Sequence, residues 1–216
     1  MIKTASRSLG TNRDEIVAAL KDMGWKTAEN FPRSLETVNP PALHFGTDKV
    51  SQGYLPTYLR LASQIGTAGH VCEVGVDSGG SLQMWQALFP WGRVAGVDND
   101  PAALWPDGTY VVLSSQDDPK LPGRLQEVSP AWDLIVDDAS HDGVLTAATF
   151  TLLWPLVKPG RWYVIEDWFV GLHGEQGLYG ESMLHTAQGF LKMLDTLNST
   201  IEEITYRYGM IVIKKR

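Results

Sequence analysis

Between Val71 and Asp167 the chain repeats one rhythm: a short apolar run, a turn, a helical pattern, then another apolar run, and most of the runs end on acids. HVCEVGV, VAGVD, TYVVLS, DLIVDD and RWYVIED read as strands, while SLQMWQALF and the residues from Leu145 to Leu156 read as helices. A continuous apolar run of this length is a strand covered on both faces, and such strands joined through helices make a mainly parallel sheet. The end of the chain departs from that rhythm. Met183 to Leu197 has helical spacing, and IEEITYRY and GMIVIKK are two strand-like runs meeting near Gly209. They predict a hairpin whose last strand runs antiparallel to the others.

Before the sheet, Ile16, Val17, Leu20 and Met23 give Asn12 to Trp25 one amphipathic helical pattern, Pro40-Pro41 stops regular structure, and a second helix is expected over Leu55 to Ile65. Residues 1–43 are therefore expected to form a helical extension that covers a pocket or makes a dimer contact, and residues 44–216 the main domain. At 216 residues, with 44% hydrophobic and 20% charged side chains, the chain is long enough for one sizeable core. Its net charge of −7 and lack of a basic stripe argue against a nucleic-acid partner. MIKTASRSLGTNRDE has no apolar signal region and no run reaches membrane length, so no membrane association is expected. The single cysteine, Cys72, excludes an internal disulfide and points to a cytoplasmic protein.

In open parallel sheets ligands bind beyond the carboxyl ends of the strands, and the acids of this chain fall there. The turn EVGVDSGGS, Glu73 to Ser81, opens directly into a helix, where glycines allow close backbone approach and free N–H groups point outward. A dinucleotide fingerprint would continue Gly75 with x-Gly, whereas this chain has Val76 and then Asp77. A carboxylate there repels a pyrophosphate and suits a ligand with an amino-acid or cationic portion, such as S-adenosylmethionine. Asp98, at the end of the following strand, stands where an acid accepts hydrogen bonds from ribose hydroxyls. Ser115 and Gln116, after the third strand, are placed to frame an adenine edge.

The strands ending in Asp137-Asp138 and Glu166-Asp167 should be neighbours, about 4.8 Å apart. At ~4 Å and an effective dielectric of 20, one like-charge pair costs about 4 kcal/mol. Either some protons are retained or a cation sits among the carboxylates. Oxygen ligands favour Mg²⁺, then Mn²⁺ or Ca²⁺. His141 lies within reach of the same place and has the chemistry of a general base. The plainer reading is solvated strand ends, with Ser140 or Asp142 capping the next helix.

HFGTDK, EVGVDSGGSLQMWQALFP, VAGVDND, SSQDD, DLIVDDASH, LVKPGRWYVIED and the closing YGMIVIKK together resemble the class I S-adenosylmethionine-dependent methyltransferases. Within them the chain is most similar to the metal-dependent O-methyltransferases of macrolide sugars, of the mycinamicin-pathway type, with cephalosporin-hydroxylase-like proteins as more distant relatives. The resemblance implies a Rossmann-like, doubly wound α/β fold: a mostly parallel seven-stranded sheet with an antiparallel C-terminal strand and helices on both faces. It implies Asp138, Glu166 and Asp167 as metal ligands and His141 as the base, with Asp138 sharing in catalysis. It also implies a cofactor site of Thr47, Lys49, Tyr54, Glu73, Gly75, Ser81, Asp98, Ser115, Gln116 and Asp137. The expected activity is Mg²⁺-dependent methyl transfer from S-adenosylmethionine to a hydroxyl of a small natural product, a sugar moiety first, by an enzyme that can be a homo-oligomer. Two rivals are a nucleotide-dependent oxidoreductase or hydroxylase, which Asp77 argues against, and a non-catalytic binding subunit, which has no need of the acid–histidine constellation. WFVGLHGEQGLYGESMLH, after the fifth run, reads as a lid or acceptor loop in which Trp168, Phe169, His173 and Tyr179 would touch substrate.

Overall fold

The computed structural model describes residues 3–4, 46–170, 183–194 and 199–216. Among these residues the chain runs β1 (Lys3–Thr4), α1 (Leu55–Ile65), β2 (Val71–Val74), α2 (Gly80–Leu88), β3 (Val94–Asp98), β4 (Tyr110–Leu113) and α3 (Leu121–Val128). It continues through β5 (Trp132–Asp137), α4 (Gly143–Leu153), a 3₁₀ turn (Trp154–Leu156), β6 (Val157–Glu166), α5 (Met183–Leu194), β7 (Ile201–Arg207) and β8 (Met210–Lys215).

One sheet has the order β1-β4-β3-β2-β5-β6-β8-β7. β2, β3, β4, β5 and β6 pair in parallel. β8 inserts between β6 and β7 and is antiparallel to both, as the tail's two runs predicted. The winding reverses between β2 and β5, which is where a doubly wound sheet opens a crevice for ligands. The seven main strands match expectation, and two differences stand beside them. Lys3–Thr4 adds a short antiparallel strand on β4, so the extension over residues 1–43 is not purely helical. A two-residue pairing leaves no periodic trace in a sequence. Helix α3 is the other difference: Pro122 and Gly123 interrupt its pattern, although proline in the first turn fits a helix start, where its missing N–H is no loss. The predicted helix over Asn12–Trp25 and the boundary at residue 43 lie outside the described residues, as do residues 195–197 of the predicted late helix.

Strand periodicity divides the core in two. Val71, Leu134, Val136, Trp162, Val164, Met210 and Val212 face one side and pack under α1 and α2. Cys72, Val74, Ile135, Tyr163, Ile165, Ile211 and Ile213 face the other and pack under α3, α4 and α5. Tyr58 of α1 meets Trp85 of α2 edge to face at 4.7 Å, and Phe150 of α4 meets Phe190 of α5 at 4.7 Å. Each fully buried large apolar side chain contributes about 1.5–3 kcal/mol. Both faces are therefore sealed, and polar chemistry is confined to the edge of the sheet. No helix of the described residues is long and apolar enough to cross a membrane.

Candidate active site at the carboxyl edge of the sheet

Register builds the site. Val74 pairs with Val97 on one side and Asp137 on the other, and Asp137 pairs with Ile165. The next residue on each strand is Asp98, Gly75, Asp138 and Glu166, which the pairing sets in one row across the sheet. The side-chain period of two then sorts them by face. Asp138 follows Leu134 and Val136, and Glu166 follows Trp162 and Val164, so both acids point to the α1–α2 side, as does Glu73. Asp137 points to the opposite face, where the Tyr163 hydroxyl donates to it at 3.2 Å. Burial pushes the Asp137 carboxyl up to about 7.

Gly75 is required where these strands meet. Its φ is +95°, and a Cβ there would lie 2.0 Å from the carbonyl oxygen of Asp138. The turn after it is held from the next strand. Asp98 accepts from the backbone N–H of Val76 at 2.8 Å and Asp77 at 3.3 Å, while its other oxygen accepts from Asp100 at 2.8 Å.

Over the row lies the segment that begins α1. The buried Lys49 ammonium donates to Asp138 Oδ2 at 2.6 Å and Glu166 Oε2 at 2.9 Å, and sits 3.2 Å from Glu73 Oε1. Tyr58 donates to Glu166 and Tyr54 to Asp167. Glu73 also accepts from Ser81 Oγ at 2.5 Å and Trp85 Nε1 at 3.1 Å. Burial raises Glu73, and raises Glu166 more strongly, while Lys49 pulls both back down. Asp167 is raised by burial against the hydrogen bond from Tyr54. Asp138, His141 and Asp167 bring ligand atoms within 4.8 Å of one another, with His141 Nε2 3.9 Å from Asp167 Oδ2.

A cavity of about 600 Å³ opens above this edge, within the range of small-molecule sites. Of the residues singled out in the sequence, Thr47, Lys49, Gly75, Ser81, Asp98, Ser115, Gln116, Asp138, His141 and Asp167 border it. Tyr54, Glu73, Asp137 and Glu166 do not; they lie behind the wall and hold it. Gln116 is buried and donates to Thr149 Oγ1 at 2.8 Å, whereas exposed Ser115 donates to Asp117 at 2.5 Å. Trp168 and Phe169 are not among the residues that border the cavity. Trp168 Nε1 donates to the Arg207 carbonyl at 2.9 Å, and Phe169 stacks on Tyr208 at 4.9 Å. His173 and Tyr179 lie outside the described residues. Sequence reasoning missed Tyr58 and the wall residues Asn99, Ser114 and Ser140. Tyr58 had a signal, since it follows Tyr54 by one helical turn and shares its face.

The fold superposes on those of solved methyltransferases. MycE from the mycinamycin pathway, crystallised with Mg and SAH, superposes with a TM-score of 0.66 over 98% of this chain and 54% of its own, at 20% identity. TomG from Streptomyces achromogenes, solved with SAM, gives 0.52 over 96% of this chain and 93% of its own, at 16% identity. The fold is that of the class I methyltransferases. Within this methyltransferase fold the sequence has homologues among antibiotic-sugar enzymes. A tetracenomycin-C rhamnosyl 3'-O-methyltransferase of Streptomyces olivaceus is 35% identical over 145 residues, 63% of this chain and 36% of that protein. Mycinamicin VI 2''-O-methyltransferase of Micromonospora griseorubida is 33% identical over 105 residues, 45% of this chain and 26% of that protein. The chain thus spans well under half the length of these curated relatives. No protein-family model matches it.

Proposed function

We propose that this chain is a Mg²⁺-dependent O-methyltransferase that moves a methyl group from S-adenosylmethionine to a hydroxyl of a small natural product, a sugar moiety first. The observation that carries the reading is the joining of one cavity, a glycine turn backed by Asp98, and an acid–histidine cluster at the switch point of the sheet. The names of the homologues supply the acceptor class, and the solved MycE complex supplies the pairing of Mg with SAH.

The donor set fits a hard divalent ion. Three carboxylates, from Glu73, Asp138 and Glu166, face one lysine ammonium, Asp167 adds a fourth on the His141 side, and oxygen donors outnumber the single imidazole. Asp138 and Asp167, with Glu166 beside them, would hold the ion, whose chemistry is to lower the pKa of a bound acceptor hydroxyl. S-adenosylmethionine, when bound, supplies a methyl carbon activated by its sulfonium. Asp98 and the N–H groups of the Gly75–Ser81 turn orient the ribose and amino-acid portions, and Ser115 with Gln116 borders the adenine end. His141 projects into the cavity from a left-handed backbone position, φ 55°, and takes the acceptor proton.

Calorimetric titration with S-adenosylmethionine and with NADH, each with and without Mg²⁺, tests the cofactor. S-adenosylmethionine binding is expected, and binding of NADH alone would overturn the reading. His141→Ala should keep cofactor affinity near wild type while lowering turnover, followed with labelled methyl donor, by about 100-fold or more. Turnover that stays near wild type removes His141 from the proton-transfer role.

A further inference from the structure

Lys49 has no obvious reason to be buried, yet its side chain is 1% exposed. An ammonium has three protons to donate, and three carboxylates from three adjacent strands surround it: Glu73 of β2, Asp138 after β5 and Glu166 of β6. Removing such a group from water is unfavourable unless its partners are close and oriented, and here two lie within 2.9 Å and the third at 3.2 Å. The lysine comes from outside the sheet. Its carbonyl accepts from the backbone N–H of Tyr54 at 2.9 Å and Leu55 at 3.2 Å, which ties it to the start of α1.

We propose that Lys49 is a built-in cation that gathers the carboxylates of three strands whether or not a divalent ion is bound, and that it is a positioning residue for Asp138. The acidic edge then folds without metal, and a metal ion is needed only for chemistry. This role of Lys49 concerns the site of the proposed function but does not depend on methyl transfer.

Thermal melting in EDTA and in Mg²⁺, with Mg²⁺ calorimetry alongside, tests it on three proteins: wild type, Lys49→Met and Lys49→Met/Glu166→Gln. The wild type should be folded in EDTA and gain in Mg²⁺ only the few °C that ion binding itself adds. Lys49→Met should melt about 10 °C lower in EDTA, as expected for breaking a buried charge pair in a domain this size, and regain most of the loss in Mg²⁺. The double variant, which removes the cation together with one buried acid, should recover at least half of the loss in EDTA. Should the single variant fail to fold in EDTA, a folded double variant supports the proposal equally and an unfolded one overturns it. Wild-type melting of Lys49→Met in EDTA overturns it, as does a loss that neither Mg²⁺ nor Glu166→Gln relieves, since that is loss of packing alone. If the wild type binds no Mg²⁺ but the double variant recovers in EDTA, the metal reading falls and Lys49's role stands.

Discussion

Asp77, His141 and Asp167 are the non-glycine residues with positive φ among the described ones, at 45°, 55° and 51°, and all three border the cavity. Side chains resist this backbone region, so such residues persist only where the surroundings hold them, and they gather at functional sites. Here the restraints are visible: the Asp77 carbonyl accepts from Leu104 N at 2.8 Å, and Asp167 N donates to the Gly209 carbonyl at 2.6 Å. A residue far from the site yields a test of a different kind. His70 Nδ1 accepts from Arg93 N at 3.1 Å, and burial, with Lys158 and Arg93 nearby, lowers its pKa from 6.5. The folded state therefore resists a proton that the unfolded chain accepts. The stabilisation is complete above pH 6.5 and is lost as pH falls through the unfolded and then the folded value. Urea unfolding of wild type and His70→Gln across pH 5–8 should show the wild type losing stability relative to the variant on the acid side. A constant difference across that range removes His70 as the cause.

Two helices work on the site from opposite directions. α1 sends Tyr54 and Tyr58, one turn apart, down onto Asp167 and Glu166, so the helix that closes one core also supplies donors to the acids. α4 starts directly after His141, and its position depends on its cap. Asp142 accepts from the backbone N–H groups of Val144 and Leu145 at 2.8 and 2.9 Å, satisfying donors that a helix start otherwise leaves open. Thr186 of α5 donates to the Gly143 carbonyl at 2.6 Å and pins the same end. Asp142→Ala should cost about 1 kcal/mol in chemical denaturation. It should also lower turnover more than cofactor affinity, because the cap adjoins His141. Stability unchanged by the substitution would show that the Thr186 contact suffices.

At the scale of the whole molecule, the sheet is a frame that converts four strand ends into one row. β2, β3, β4, β5 and β6 all contribute to the cavity wall through their carboxyl ends or the turns after them. A ligand held there touches several strands of one sheet at once, so binding should register as global stability. At 100 times its Kd, a ligand that binds only the folded state adds about 2.7 kcal/mol, which for a domain of this size raises Tm by about 5–10 °C. S-adenosylmethionine should give a shift of that order in scanning fluorimetry, and NADH at equal concentration none. The reverse pattern would move the cavity to a different ligand class.

Local chemistry made most of the frame legible. DLIVDD and RWYVIED are apolar because both faces of their strands are covered, and their acids mark where the cover ends. Neighbouring residues carry that information, so the strands, their order of acids and the adjacency of Asp138 to Glu166 could be read directly. That those acids need a cation or retained protons also follows from charge alone. Which cation was a tertiary matter. Lys49 stands 89 residues from Asp138 and 117 from Glu166, and the sequence resemblance placed it in the cofactor site rather than among the acids. Only the docking of α1 onto the sheet turns it inward, because burial and ion pairing depend on distances in space that no local pattern encodes. The same holds for Tyr58 on Glu166 and for Gln116 on Thr149. The strand-edge acids were written in the chain; the groups that neutralise and orient them were decided by packing.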